Sequence, residues 1–269
     1  MPALAATSAM PDPMIPDPTI PSLVMLMDSD ATDRPRVRSK GLARHSVRVM
    51  SGTLALVGGD AWCPGCSFDQ DLLTASGGTH VLVLATAAAY EHPERAIQTA
   101  EAWFAALGAT VGSLPIFTRP DALEATHLGH IAEARFIYLA DGSPMHLRAV
   151  LKNSPVWDAI VTAWREGAVL AGSGSGAMVL CDPLVDPRGG ALTLGLGLQE
   201  RMALIPHHDT WSHEKEKRTL KIAPRGLPIV GIDERTALLR HPDGTWQVAG
   251  AGRVTVFVDG EPTDLSALP

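Results

Sequence analysis

The chain has 269 residues, 46% of them apolar, and a formal net charge of −7. That length and apolar share predict one α/β domain with a sizeable core and exclude a disordered polymer. No apolar run approaches the ~20 residues of a spanning helix. The acidic balance argues against general nucleic-acid binding, so neither a membrane nor a nucleic-acid partner is expected.

Residues 1–50 stand apart. They are rich in proline and then carry a basic run through Arg34, Arg36, Arg38, Lys40, Arg44 and Arg48. The apolar stretch from Leu23 to Met27 has no basic segment before it and no small-residue cleavage site after it, so a secretory signal is not expected. The segment reads as a disordered tail, or as an upstream start with Met50 as the first residue, and residues 51–269 read as a single domain. The low cysteine count fits a reducing, cytoplasmic location.

Residues 53–57 form a continuous apolar run ending at Gly58-Gly59, the pattern of a strand buried on both faces that enters a glycine turn. Cys63-Pro64-Gly65-Cys66 follows in the loop, with the spacing of a redox motif or half a zinc site. A second cysteine pair for zinc is lacking, and the strand-then-helix setting of a redox pair is only half met. Strands are predicted at 81–84, 111–117 and 136–139, and helices at 94–107, 121–134, 144–151 and 155–165. The last two are each opened by a proline at the first turn. A strand at 168–170 then leads into Gly172-Ser173-Gly174-Ser175-Gly176-Ala177. Beyond it come strand-like segments at 202–205, 228–232, 236–239, 246–249 and 253–258, a helix at 214–223, and a hairpin turn at His241 to Gly244. The alternation of strands and helices predicts a doubly wound, mostly parallel sheet with helices on both faces, plus short extra strands near the C-terminus.

In such sheets ligands bind at the carboxyl ends of the strands. Four loops there carry chemistry: Gly58-Gly59, Asp141-Gly142-Ser143, the turn at 172–176, and Pro206-His207-His208-Asp209. Strand, small-residue turn and helix are what a nucleophile elbow of the form G-x-S-x-G needs. Here Gly172 and Gly176 flank the turn and its centre is Gly174 rather than serine. Glycine enters the strained apex without a Cβ penalty, so the turn survives the loss of the hydroxyl. Ser175 is expected to begin the helix and cap it, and Ser173 to point away from the apex. His207 is the candidate base. With His208, Asp209 and His213 it has poor metal-ligand spacing, and neither a metal nor a cofactor is expected.

These residues resemble the serine peptidases that include dipeptidase E and cyanophycinase, which share the class I glutamine amidotransferase-like, flavodoxin-like fold. The resemblance rests on the opening strand with Gly58-Gly59, the turn at 172–177, Gly195-Leu196-Gly197-Leu198, His207 beyond it, and Gly231-Ile232-Asp233-Glu234-Arg235-Thr236-Ala237. It implies an acyl-enzyme hydrolase acting on a small peptide or amide, aspartyl peptides included. Gly174 then stands at the nucleophile position, His207 at the base, and Gly142 and Gly59 on the oxyanion and substrate loops. Asp186 is the first choice for the acidic triad member, over Asp182, Asp233 and Glu234. Asp141 stands where the family has the first glycine of a pair, and a carboxylate there opposes a developing oxyanion. The expectation is an impaired catalyst. The alternatives are an active enzyme using Ser175 or Ser173 with His207, and a small-ligand binding or interaction protein built on the inactive cleft.

Overall fold

The computed structural model describes residues 51–269, so the reading of residues 1–50 lies outside the described residues. The strands are β1 (Leu54–Val57), β2 (His80–Leu84), β3 (Thr110–Ser113), β4 (Phe136–Leu139) and β5 (Val169–Ser173), followed by four two-residue strands. These four are β6 (Cys181–Asp182), β7 (Leu184–Val185), β8 (Leu192–Thr193) and β9 (Gln199–Glu200). Then come β10 (Ala203–Ile205), β11 (Ile229–Ile232), β12 (Thr236–Arg240), β13 (Trp246–Gly250), β14 (Val254–Val258) and β15 (Glu261–Thr263). The helices are α1 (Phe68–Ser76), α2 (Pro93–Ala106), α3 (Leu128–Glu133), α4 (Pro144–Leu151), α5 (Pro155–Arg165), α6 (Ser175–Leu180) and α7 (His213–Ile222).

The main sheet has the order β13-β12-β1-β5-β4-β2-β3. Its strands β1 to β5 are mutually parallel, and β12 and β13 extend it antiparallel beyond β1. Alternate residues of β1 enter opposite cores: Leu54 and Leu56 pack with β10, β11 and α5, whereas Ala55 and Val57 pack with α1 and α2. Covering both faces is what lets a continuous apolar run serve as a central parallel strand. A second sheet, β10-β11-β14-β15, stands beside the first. Among the described residues no helix is long and apolar enough to cross a membrane.

Local chemistry sets the element ends. Helices α4 and α5 each begin with proline after a serine whose hydroxyl accepts a backbone N–H, from His146 at 3.3 Å and from Trp157 at 3.1 Å. Proline lacks the N–H that the first turn cannot use, and the serine satisfies one that it can. Two expectations were too long. The third strand stops at Ser113 because Pro115 has no donor for the ladder. The predicted helix at 121–134 is two 3-10 turns followed by α3. There the Asp121 carboxylate accepts the N–H groups of Phe117 and Thr118 behind it rather than capping forward, and Glu124 is extended.

The topology places β4, β5 and β1 side by side. The loops that leave their carboxyl ends, at Asp141, Gly174 and Gly58-Gly59, therefore meet.

Candidate active site

The elbow forms as its glycines predict. Gly174 has φ 52° and ψ −112° between β5 and α6. The flanking glycines are needed for closeness. A Cβ on Gly172 would stand 2.5 Å from the Gly176 carbonyl carbon, and one on Gly176 would stand 2.4 Å from the Leu139 carbonyl oxygen. Backbone cannot retreat from such a contact as a side chain can. Gly176→Ala is therefore expected to cost about 2–3 kcal/mol in urea denaturation. A loss under about 0.5 kcal/mol would mean that α6 slides freely on β4. The Gly195–Leu198 segment closes the other end of α6: the Leu196 N–H donates to Val179 O at 2.7 Å, and the Gly195 N–H to Asp182 Oδ1 at 3.0 Å.

Three further loops are laced around the elbow by backbone bonds. The His207 N–H donates to Gly58 O at 2.6 Å, the Arg235 N–H to Gly59 O at 2.9 Å, and the Gly58 N–H to Thr236 O at 2.9 Å. Asp209 Oδ1 accepts the Glu234 N–H at 3.0 Å. His207 is held at φ 49°, a conformation a non-glycine residue keeps only when its surroundings fix it. Its imidazole lies on the face of Gly59, where a Cβ would fall 2.1 Å from the ring.

The centre of the site is Asp141. A Cβ built on Gly174 would stand 2.0 Å from Asp141 Oδ2 and 2.3 Å from Oδ1, so this carboxylate occupies the space into which an elbow side chain projects. Oδ1 accepts three hydrogen bonds, from the Ser175 N–H at 2.7 Å, the Gly142 N–H at 2.7 Å and the Ser175 hydroxyl at 2.8 Å. The N–H after the nucleophile and one from a neighbouring loop are the donors of an oxyanion hole in an elbow hydrolase. Here both point at a resident carboxylate. Oδ2 accepts from His207 Nε2 at 2.9 Å, and His207 Nδ1 is bonded to Glu234 Oε1 at 2.9 Å.

The electrostatics agree with a closed ion-pair chain. The Asp141 hydrogen bond pushes His207 up to about 9; burial opposes the shift and Glu234 adds to it. At neutral pH the ring is thus an imidazolium that donates from both nitrogens. Burial acts to raise Asp141, but the bonds from His207, Ser175 and Gly142 outweigh it and hold the carboxyl below its usual value.

The sequence-derived candidates divide accordingly. Asp141, Gly142, Gly174, Ser175, His207 and Gly59 converge. Ser175 begins α6 as expected, with its hydroxyl on Asp141 rather than on His207. Ser173 is buried and its hydroxyl finds no hydrogen-bond partner among the described residues. Asp186 does not meet His207; it is engaged by Arg188 at 2.6–3.2 Å and caps its own turn. The second carboxylate on His207, opposite Asp141, is Glu234, carried by the β11–β12 loop between the two sheets. Asp233 instead accepts from the Arg253 N–H, and Asp182 from Gly195. His208 pairs with Glu216 at 2.6 Å, and His213 lies 3.5 Å from the same carboxylate. Among the described residues no group of three or more His, Cys, Asp or Glu is placed to hold a metal ion. A cleft of about 430 Å³ opens over the centre, lined by Asp141, Ser175 and His207 with Met178, Pro206 and Trp211 among its apolar walls.

A parallel sheet, an elbow between a central strand and a short helix, and a histidine–carboxylate pair on adjoining loops make up the framework of an acyl-transfer hydrolase. The chain belongs to peptidase family S51, whose model matches residues 67–248. A cyanophycinase of Synechococcus elongatus is 26% identical over 167 residues, 58% of this chain and 51% of that protein. A cyanophycinase of Trichormus variabilis is 31% identical over 141 residues, 48% of this chain and 46% of that protein. The chain spans about half the length of these curated relatives. The crystal structure of a peptidase from an acI-B1 Actinobacterium superposes with a TM-score of 0.70 at 29% identity, over 80% of this chain and 98% of that one.

Proposed function

We propose that this member of a serine peptidase family keeps the substrate cleft and has lost serine catalysis, its oxyanion site being filled by its own Asp141. The carrying observation is the 2.0 Å separation between a Cβ built on Gly174 and Asp141 Oδ2. The missing nucleophile and the extra carboxylate are one feature, since the second fills the space of the first. A tetrahedral intermediate needs the Ser175 and Gly142 donors free to receive a developing charge. Both are bonded to a carboxylate that already carries one. His207 at about 9 is also in the wrong protonation state to take a proton at neutral pH.

The same geometry weighs against Ser175 as a substitute nucleophile. Its hydroxyl donates to Asp141 Oδ1, and the His207 nitrogen that would accept its proton is bonded to Oδ2. Ser173, buried like Ser175, has the greater handicap of not lining the cleft. A fluorophosphonate probe tests this directly: neither serine is expected to label, at pH 7 or at pH 9.5 where His207 loses its proton. Labelling of Ser175 that disappears in His207→Ala would establish an active serine and overturn the reading.

The retained cleft fits a small peptide or amide ligand held without turnover. Its charge argues against the acidic ligands that the resemblance implies, because Glu91 and Asp141 line it and His207, the cation among its described lining residues, is already neutralised by two carboxylates. Neutral or basic ligands suit it better. A thermal-shift comparison of neutral, lysyl and aspartyl dipeptides separates these, and stabilisation by the aspartyl peptide alone would reverse the preference.

A further inference from the structure

The pair Cys63 and Cys66 does not line the cleft, and it has the spacing, turn and unequal access of a dithiol exchange pair. The sequence Trp62-Cys63-Pro64-Gly65-Cys66 lies between β1 and α1, so the strand-then-helix setting, which the sequence supports only in part, is complete. Helix α1 was not among the expected elements, although Phe68, Leu72, Leu73 and Ser76 have helical spacing and are buried. The Cys66 N–H donates to Cys63 O at 3.1 Å, which folds the four residues into a turn. Both sulfurs approach one acceptor, the Asp60 carbonyl oxygen, at 3.2 Å and 3.6 Å, which places the two thiols side by side. The two differ in access: Cys63 is partly exposed and Cys66 is fully buried. That asymmetry separates an attacking thiol from a resolving one.

We propose that Cys63 and Cys66 form a reversible dithiol–disulfide pair that exchanges with low-molecular-weight disulfides such as oxidised glutathione. The Cys63 thiolate attacks one sulfur of the small disulfide, forming a mixed disulfide and releasing one thiolate. Cys66 then attacks Cys63 Sγ, closing the intramolecular bond and releasing the second. The protein gives up two electrons and two thiol protons, and the small disulfide becomes two thiols. Burial pushes the Cys63 thiol up, with the nearby Asp60 adding to it. Burial, reinforced by Asp69, pushes Cys66 up to about 12. Exchange is therefore slow at neutral pH and gains about tenfold per pH unit while the thiolate remains the minor form. A dithiol with no stabilised thiolate favours the disulfide once it has formed, so the pair sits at the reducing end of such sites.

The test uses the whole folded chain with oxidised glutathione, followed by denaturation, alkylation and mass analysis. Of the three cysteines, Cys181 is buried and serves as the control for folding, since it should stay unreactive until denaturant is added. The expected result is loss of alkylation at Cys63 and Cys66 together, with no retained glutathione, restored by dithiothreitol. Cys66→Ala should stop at a glutathione adduct on Cys63, and Cys63→Ala should give no adduct. A wild-type chain that keeps both thiols, or that stops at the mixed disulfide on Cys63, overturns the proposal, as does a disulfide that forms only once Cys181 has become reactive.

Discussion

Gly174→Ser alone is expected to destabilise the fold by about 2–4 kcal/mol, combining overpacking with the strain of a side chain at positive φ. The cause is steric: the new Cβ would overlap a carboxylate that four hydrogen bonds hold in place. Asp141→Gly alone is also unfavourable, because it leaves the Ser175 and Gly142 donors and His207 Nε2 without their acceptor. The double variant removes the overlap and offers a hydroxyl where the carboxylate had been. Its cost should fall below the sum of the two single costs by about 1–3 kcal/mol, the range for residues in direct contact. Denaturant titration of all four proteins gives this coupling, and strict additivity would show that Asp141 moves aside without penalty. The double variant is also the one expected to label with a fluorophosphonate, at the introduced hydroxyl.

Part of the pH dependence of stability should trace to one hydrogen-bonded chain, separately from the buried Asp69, whose carboxyl burial pushes up to about 7. His207 is raised from its usual 6.5 to about 9, so its contribution is fully present below about 6.5 and is lost as pH rises through about 9. Asp141 is lowered, so its contribution is present above the usual carboxylate value and is lost as pH falls through its depressed one. The chain is therefore most effective between about pH 4 and 6.5. With side chains 32% and 38% exposed, solvent screening reduces the His207 contribution to about 1–2 kcal/mol. Asp141→Asn keeps an oxygen for Ser175 and Gly142 and removes the charge facing His207. The ring should then titrate about one unit or more lower, and the stability loss between pH 6.5 and 9 should flatten. Following the His207 ring proton by NMR decides the matter, and a wild-type titration near 6.5 would refute the ion-pair chain.

Much of this arrangement is legible in the sequence, because some elements carry their own signal. Strands β1, β2, β4 and β5 are apolar runs buried on both faces, and α4 and α5 announce their starts with a serine and a proline. The elbow is readable from glycine spacing alone, since each glycine answers to a local contact. The carboxylate partner of His207 is not readable in that way. Asp186 follows the elbow helix in the chain, but it is satisfied by Arg188 two residues away. Glu234 reaches His207 only because β11 and β12 belong to different sheets and their connecting loop crosses between them. Nor does sequence convey the distance that defines the site. It indicates a carboxylate near the elbow, whereas the fold brings Asp141 Oδ1 onto the backbone N–H groups of both Ser175 and Gly142.

The interlock of Gly174 with Asp141 also bears on how such a site changes over generations. Restoring the serine first meets a wall, and restoring the glycine first strands buried donors and an imidazolium. A lineage returning to catalysis by single substitutions must cross a less stable intermediate whichever change comes first. With domain stabilities of about 5–15 kcal/mol, an intermediate weakened by several is readily purged. On the proposed reading, loss of the nucleophile works as a ratchet once its place is taken: the fold persists, free to acquire other uses, while the road back to peptide hydrolysis is closed to one-step change.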